Sequence, residues 1–263
     1  MNKEGLLYFH QGWTDIINCL ALINYYVKLY DKIYLIVRND SKNIIDFYCK
    51  SINNIQILYV NKHIVDNCYN GNPNIIDYIH NDYSITNNIN IQRSSKLEYL
   101  FHGQLDKDRT DSYKNIFCNN VNSQQMHFVR KFYEDYNIPY INRINLFEFE
   151  RNYELEEIKY NDFINKYGLN YILHHEINEK NNDKNNCIIN LNGISDVFFD
   201  MIKILENSKE IHLLDSVWGA FIYLLDAKYN LFKNKNIKIY LYAKRGYGIM
   251  FKEPLLLENW NFI

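Results

Sequence analysis

The chain has 263 residues, 47% of them hydrophobic, which is enough to bury one large core or two modest ones. A formal net charge of −2, with no basic stripe, argues against a dedicated nucleic-acid binder. The five cysteines (Cys19, Cys49, Cys68, Cys118 and Cys187) are scattered and form no C-x-x-C pair. That spacing indicates neither a zinc site nor a disulfide framework, and reduced thiols in a cytoplasmic setting are expected.

Tyr is abundant at 24 while Gly (9) and Pro (3) are scarce. With many Asn, Ile and Lys, this bias reflects an AT-rich genome, such as that of a parasite, a low-GC bacterium or a large DNA virus, more often than a function. The first residues lack the layout of a signal peptide. No run approaches the ~20 apolar residues of a membrane span.

Along the chain, strand and helix patterns alternate. Leu6 to His10 reads as a strand and Ile16 to Tyr30 as a helix, with Ile16, Leu20, Ile23 and Val27 on one face. Lys32 to Val37 is a strand, Ile44 to Ser51 a helix and Ile55 to Val60 a strand. This order predicts a parallel sheet with right-handed crossovers. Residues 61 to 125 are less regular, with short helices expected at Ile64 to Asn67 and Pro73 to His80. Gln124 to Tyr136 reads as a helix ended by Asn137-Ile138-Pro139. The charged stretch 145 to 168 reads as an exposed helical connector.

The alternation then restarts. Tyr171 to His175 is a strand, Asn178 to Asn186 a polar loop and Cys187 to Asn190 a strand. Val197 to Asn207 is a helix, Glu210 to Leu214 a strand, Val217 to Asn230 an apolar helix and Lys238 to Tyr242 a strand. Pro254 to Trp260 suggests a last helix. The fold class expected is α/β, with two Rossmann-like domains whose parallel sheets face a cleft. The division falls between 1–145 and 146–263.

Four constellations can carry chemistry. In His10-Gln11-Gly12-Trp13-Thr14-Asp15, a glycine after a strand lets the backbone turn and approach a ligand. Thr14 or Asp15 would N-cap the following helix, or Asp15 would act as a general base on an acceptor hydroxyl. In Asp215-Ser216-Val217, a strand ends and a helix starts at once, giving either a plain N-cap or a phosphate and sugar site at a helix N-terminus. His174-His175-Glu176 invites a metal, but consecutive strand residues point to opposite faces, which disfavours sharing one. A packing role or contact with a nucleotide remains for each. Asp106-Lys107-Asp108-Arg109-Thr110-Asp111 is either a solvated surface or the border of an acceptor site, and the Arg143 region is equally open. No GxxxxGK[ST], full GxGxxG, GxSxG or HExxH motif is present, which disfavours a P-loop enzyme and a Rossmann dehydrogenase.

Taken in order, these motifs resemble nucleotide-sugar glycosyltransferases of the GT-B type. More narrowly, they resemble heptosyltransferase-like proteins of bacteria and giant viruses. The opening H-x-G-L-G-D-x-I of that group is matched by His10 to Ile17, and its D-x-x-R-x-D-x-Y element by Asp106 to Tyr113. Its F-Y-x-D segment is matched by Phe132 to Asp135, and the arginine that follows, loosely, by Arg143. Its strand ending in histidine and acid is matched by Tyr171 to Glu176, and its IH-x-x-DS turn by Ile211 to Ser216.

The resemblance implies an inverting, metal-independent transfer of a sugar from a nucleotide-diphosphate sugar to a hydroxyl acceptor. Asp15 would be the base. His174, His175, Glu176, Asn192, Asp215, Ser216 and Val217 would bind the donor. His10, Gln11, Gly12, Trp13, Thr14, Asp106 and Arg109 would bind the acceptor. It implies no metal, no cofactor and no nucleic-acid partner, and a tail (252–263) that packs back on the first domain. Trp13 and Thr14 stand where the group has Leu and Gly, and Asn18-Cys19 reverses its order. Those departures leave two alternatives: a silent glycan- or partner-binding module, or a nucleotide-sugar epimerase.

Overall fold

The computed structural model describes residues 3–9, 12–61, 97–102, 127–134, 136–175, 187–192, 194–195, 197–214, 216–242 and 258–263. Expected helices at Ile64 to Asn67 and Pro73 to His80, and the Asp106 to Asp111 run, lie outside these residues.

The first half contains β1 (Glu4–Phe9), α1 (Trp13–Tyr26), β2 (Lys32–Arg38), α2 (Lys42–Cys49), β3 (Ile55–Val60) and β4 (Leu97–His102). Its sheet has the order β3-β2-β1-β4, parallel throughout. Strands β1 and β2 read as near-continuous apolar runs because they are central and buried on both faces. Helices α3 (His127–Glu134) and α4 (Asn142–Asn145) follow and pack against α1.

The second half runs through α5 (Tyr153–Tyr167), β5 (Tyr171–His174), β6 (Cys187–Asn190), α6 (Ile202–Glu206), β7 (Glu210–Leu214), α7 (Val217–Tyr229), β8 (Lys238–Tyr242) and β9 (Trp260–Phe262). Its sheet is also all parallel, in the order β6-β5-β7-β8-β9. Two parallel α/β units are therefore present, as the alternation of patterns requires. No helix among the described residues is long and apolar enough to cross a membrane.

Three expectations need correction. The 145–168 stretch is not simply exposed. It forms α5, capped by the Asn152 side chain and stopped by Gly168 at φ +82°, and α5 buries Phe163 against Tyr171 and Glu156 against Arg151. The expected Val197 to Asn207 helix begins as a 3-10 turn at Phe198–Met201. In the tail, where a helix from Pro254 to Trp260 was expected, Trp260–Phe262 is a strand that extends the second sheet beside β8, and residues 252–257 lie outside the described residues. The Trp260 indole N–H donates to the buried Asp226 carboxylate at 2.9 Å, which ties the tail to α7.

Both α1 and α7 are buried most of the way round, and apolar residues make up most of each. Ile16, Ile17, Leu20, Leu22 and Ile23 are buried in the first, and Trp218, Phe221, Ile222, Leu224 and Leu225 in the second. A helix that is mostly apolar must be covered most of the way round. Here α1 and α7 pack on each other, and each also contacts a strand of its own sheet. One hydrophobic core consequently runs through both units.

The join is reinforced by stacking of Phe47 on Phe199 at 4.7 Å, and by Phe149 edge-on to Phe199 at the same separation. The connecting segment is clipped from both sides. Asn24 Nδ2 donates to the carbonyls of Leu146 (2.9 Å) and Glu148 (2.7 Å), and the Tyr229 hydroxyl donates to that of Phe147 (3.1 Å). Because each fully buried large side chain contributes about 1.5–3 kcal/mol, such a shared core couples the halves strongly. A single calorimetric unfolding transition, with equal van't Hoff and calorimetric enthalpies, is expected. Two resolved transitions would show separable units.

Candidate functional site

Open parallel sheets bind ligands outside the carboxyl ends of their strands, where the chain's direction of travel across the sheet reverses. In the first sheet that point is β1, since β2 and β3 lie to one side and β4 to the other. In the second it lies between β5 and β7, with β6 on one side and β8 and β9 on the other. Helix α1 leaves the first switch point and α7 leaves the second. Their first turns carry the two turn motifs singled out in the sequence.

At the first point, α1 starts at Trp13 with Gly12 as N-cap and no side-chain capping bond. This corrects the capping role considered for Thr14 and Asp15. Asp15 is instead the third residue inside the helix and its carboxylate is not spent on a cap. It is partly buried, and desolvation raises its carboxyl from 3.8 to about 7. Such a group sits where a general base at neutral pH needs to be. The Cys19 thiol one turn below is itself pushed up by burial and by the Asp15 charge.

Behind Asp15 lies a polar network that the sequence reading did not find. Asn18 is buried among Ile16, Ile17, Cys19 and Leu20 in α1, and its amide donates to the Thr14 carbonyl at 2.8 Å. Its Oδ1 accepts from Nη1 of the buried Arg143 at 2.8 Å, and its carbonyl accepts from the Tyr133 hydroxyl at 2.6 Å. The Arg143 guanidinium lies over the rings of Tyr140 (4.8 Å) and Tyr223 (5.2 Å). Among the described residues no carboxylate pairs with it. Arg143 thus acts behind the first turn of α1, holding Asn18. A lone Asn in an Ile-Ile-Asn-Cys-Leu run was the available signal.

At the second point, Ser216 is the N-cap of α7 in extended conformation. Its hydroxyl makes no capping bond. It shares a 3.0 Å hydrogen bond with Nδ1 of His175, and both side chains are buried. That leaves the first-turn N–H groups of α7, beginning with Val217, without intrahelical acceptors and at the positive end of a helix dipole. Asn192 follows β6 at the same edge of the sheet, its N–H donating to Asn190 Oδ1 at 2.9 Å.

The two adjacent histidines part company. His175 joins Ser216, whereas His174 takes the other face of β5, opposite His212 of β7. Burial and then the His212 charge lower the His174 pKa, and its buried Nδ1 has no hydrogen-bond partner among the described residues. His212 itself lies 3.0 Å from the Tyr242 hydroxyl and 3.2 Å from Glu210.

The two switch points are bridged by rings. Trp13 meets Phe198 edge-on at 6.2 Å, and Phe198 meets Trp218 at 4.4 Å. The first turns of α1 and α7 are therefore held one phenyl ring apart. The structure brings together Trp13, Thr14, Asp15, His175, Ser216 and Val217 around this bridge or at the two helix starts it joins. His10, Gln11, Glu176, Asp215, Asp106 and Arg109 lie outside the described residues.

No family model matches the chain, and no curated protein sequence matches it. Among solved structures it is similar to a glycosyl transferase family 9 protein from Veillonella parvula DSM 2008, at 9% identity and a TM-score of 0.47, over 91% of this chain and 80% of that one. It is also similar to E. coli heptosyltransferase WaaC with ADP-2-deoxy-2-fluoro heptose, at 10% identity and a TM-score of 0.43, over 99% and 92%. For WaaC with ADP the identity is 9%, the TM-score 0.38 and the coverage 91% and 86%.

Proposed function

We propose that the chain is a GT-B type glycosyltransferase that moves a sugar from a nucleotide-diphosphate sugar to a hydroxyl acceptor, without a metal and with inversion. Residues 1–145 form its acceptor side and 146–263 its donor side. The observation that carries this reading is the pairing of the two switch points. One holds a desolvated carboxylate, the other a helix N-terminus with a Ser–His pair, and a ring bridge joins them.

The chemistry follows from the groups present. Asp15, ionised, takes the proton of the acceptor hydroxyl as its oxygen forms a bond to the anomeric carbon. The bond from that carbon to the donor phosphate breaks on the opposite face, and its electron pair leaves with the diphosphate. Negative charge then grows at the α7 N-terminus, where backbone N–H groups lack intrahelical acceptors and the Ser216 hydroxyl, hydrogen-bonded to His175, stands at the N-cap. His175 fixes the Ser216 hydroxyl. Asp215, Glu176, His174 and Asn192 are assigned to the donor side, and His10, Gln11, Gly12, Thr14, Asp106 and Arg109 to the acceptor side.

The test is binding. Among ADP, GDP, UDP, CDP and dTDP, at least one is expected to raise the melting temperature. At 100 times its dissociation constant, the gain is about 2.7 kcal/mol, or several degrees for a chain of this size. Ser216→Ala is expected to weaken that ligand by roughly tenfold or more, since a hydrogen bond to a charged group is worth about 1.5–3 kcal/mol. A flat response to all five nucleotides in calorimetry overturns the reading.

A further inference from the structure

We infer that Tyr242 is an activated nucleophile, with His212 as its base, and that the chain uses it to take a sugar from its own nucleotide-sugar donor. The choice of electrophile rests on the transferase reading; the activation of the phenol does not. The sheet of the second unit is unevenly covered. Ile211, Leu213, Ile239 and Leu241 are buried, while Glu210, His212, Tyr240 and Tyr242, on the opposite face of the same two strands, are half-buried. On that face the Tyr242 hydroxyl lies 3.0 Å from His212 Nδ1, and His212 Nε2 lies 3.2 Å from Glu210 Oε2. The His212 side chain is 23% exposed and that of Glu210 35%, so solvent reaches this row of groups.

The order phenol, imidazole, carboxylate fixes the protons. A carboxylate only accepts, so Glu210 takes the Nε2–H and leaves Nδ1 as an acceptor. The Tyr242 hydroxyl therefore donates to Nδ1. A nucleophile within hydrogen-bond reach of a base, with the base oriented by a third group, is the arrangement that activates a hydroxyl. Tyr240 holds the plane of the imidazole, its ring stacked on that of His212 at 4.6 Å and 18°. Opposite His212 on β5 stands His174, whose pKa burial lowers, so no second positive charge opposes the imidazolium that forms. Tyr242 also stands at the edge assigned to the donor. It pairs in register with Leu214, two residues before the Ser216 cap of α7. In the step, the phenol proton passes to His212 Nδ1 as the phenol oxygen bonds to the anomeric carbon. The bond from that carbon to the donor phosphate breaks, and its electron pair leaves with the diphosphate. His212 then gives the proton to solvent. Asp15 takes no part, because the acceptor is the chain's own phenol.

The test has two arms, both read by peptide mapping of the full chain in a mass spectrometer, below the melting point of each variant. In the first, p-toluenesulfonyl fluoride is offered without any nucleotide sugar. The phenol oxygen bonds to sulfur, fluoride leaves and the proton goes to His212. Of the 24 tyrosines, Tyr242 is expected to label about 10²-fold faster than the others or more, the least that a positioned base contributes. His212→Gln still accepts a hydrogen bond from the phenol but takes no proton, and is expected to lose that advantage. Glu210→Gln still accepts from Nε2 and keeps most of the rate, while Glu210→Ala loses about tenfold. A bond that only holds the sheet together predicts equal labelling in all of these. In the second arm, ADP-glucose, GDP-mannose, UDP-glucose, CDP-glucose and dTDP-glucose are supplied with no acceptor. At least one is expected to leave a single sugar on the Tyr242 peptide of the parent and none on Tyr242→Phe. The inference is overturned if Tyr242 labels no faster than the other tyrosines, or if no sugar reaches it although a nucleoside diphosphate binds. Selective labelling in a chain that binds none of the five nucleoside diphosphates overturns the transferase reading and with it the sugar donor, and supports the activated phenol.

Discussion

Asp15→Asn is expected to cut turnover by about 10²–10⁴-fold, the usual contribution of a positioned general base, while the nucleoside diphosphate still binds. Turnover is read as release of the diphosphate from the donor that the binding screen selects. The carboxyl titrates near 7, and only its ionised form accepts a proton. The parent's kcat/KM should therefore rise with pH through about 7 and level off above it. An unchanged turnover in Asp15→Asn removes the base assignment.

The same residue gives a stability signature of opposite sign. Its carboxyl titrates near 3.8 in the unfolded chain and near 7 in the folded one, so the folded state holds the proton more tightly. Stability from this group is fully present below about pH 4 and is lost as pH rises towards and through 7. The loss is bounded at roughly 4 kcal/mol by the size of the shift. Asn cannot ionise, so Asp15→Asn should match the parent near pH 4 and melt several degrees higher at pH 8. A helix-capping or packing role predicts the reverse, a variant less stable at every pH. An inactive yet stabilised variant is what a desolvated catalytic carboxylate produces.

The sheets were legible because apolar runs such as Lys32 to Val37 and Glu210 to Leu214 are short, bounded and separated by helical periods. Strand β4 was not legible. Leu97 to His102 stands in an irregular, Asn-rich region, and its role comes from pairing with β1. The helix start was misread for a related reason. Whether Asp15 caps α1 or lies inside it depends on where β1 lets go of the chain, and Gly12, Thr14 and Asp15 all suit a helix start. The clamp on Asn18 was out of reach because its partner, Arg143, is 125 residues away. Contacts of that range come from the packing of α4 on α1, which local pattern does not encode. By contrast, the opposite facing of His174 and His175 follows from the two-residue period of a strand alone.

Asp226 gives the largest expected loss of stability, and its position explains why the site should survive that loss. It is 0% exposed. Its Oδ1 accepts the N–H groups of Phe232 (2.9 Å) and Lys233 (3.3 Å), and its Oδ2 accepts the Trp260 indole N–H (2.9 Å). Those bonds close the turn after α7 and fasten β9 to the helix. Asp226→Ala strands three donors and opens a void beside Tyr223 and Trp260, whose rings are 5.8 Å apart. A loss of about 3–5 kcal/mol is expected, a large part of the 5–15 kcal/mol that holds a typical domain. The melting point should fall by about 10 °C or more, with the Trp260 fluorescence shifting to the red. Asp226→Asn has the same shape but turns one acceptor into a donor, and should fall between the two. Ser216 lies at the opposite end of the same helix. Below its transition, Asp226→Ala should therefore bind nucleoside diphosphate within about twofold of the parent. Loss of binding in a variant still folded at that temperature would mean that the two ends of α7 do not act independently.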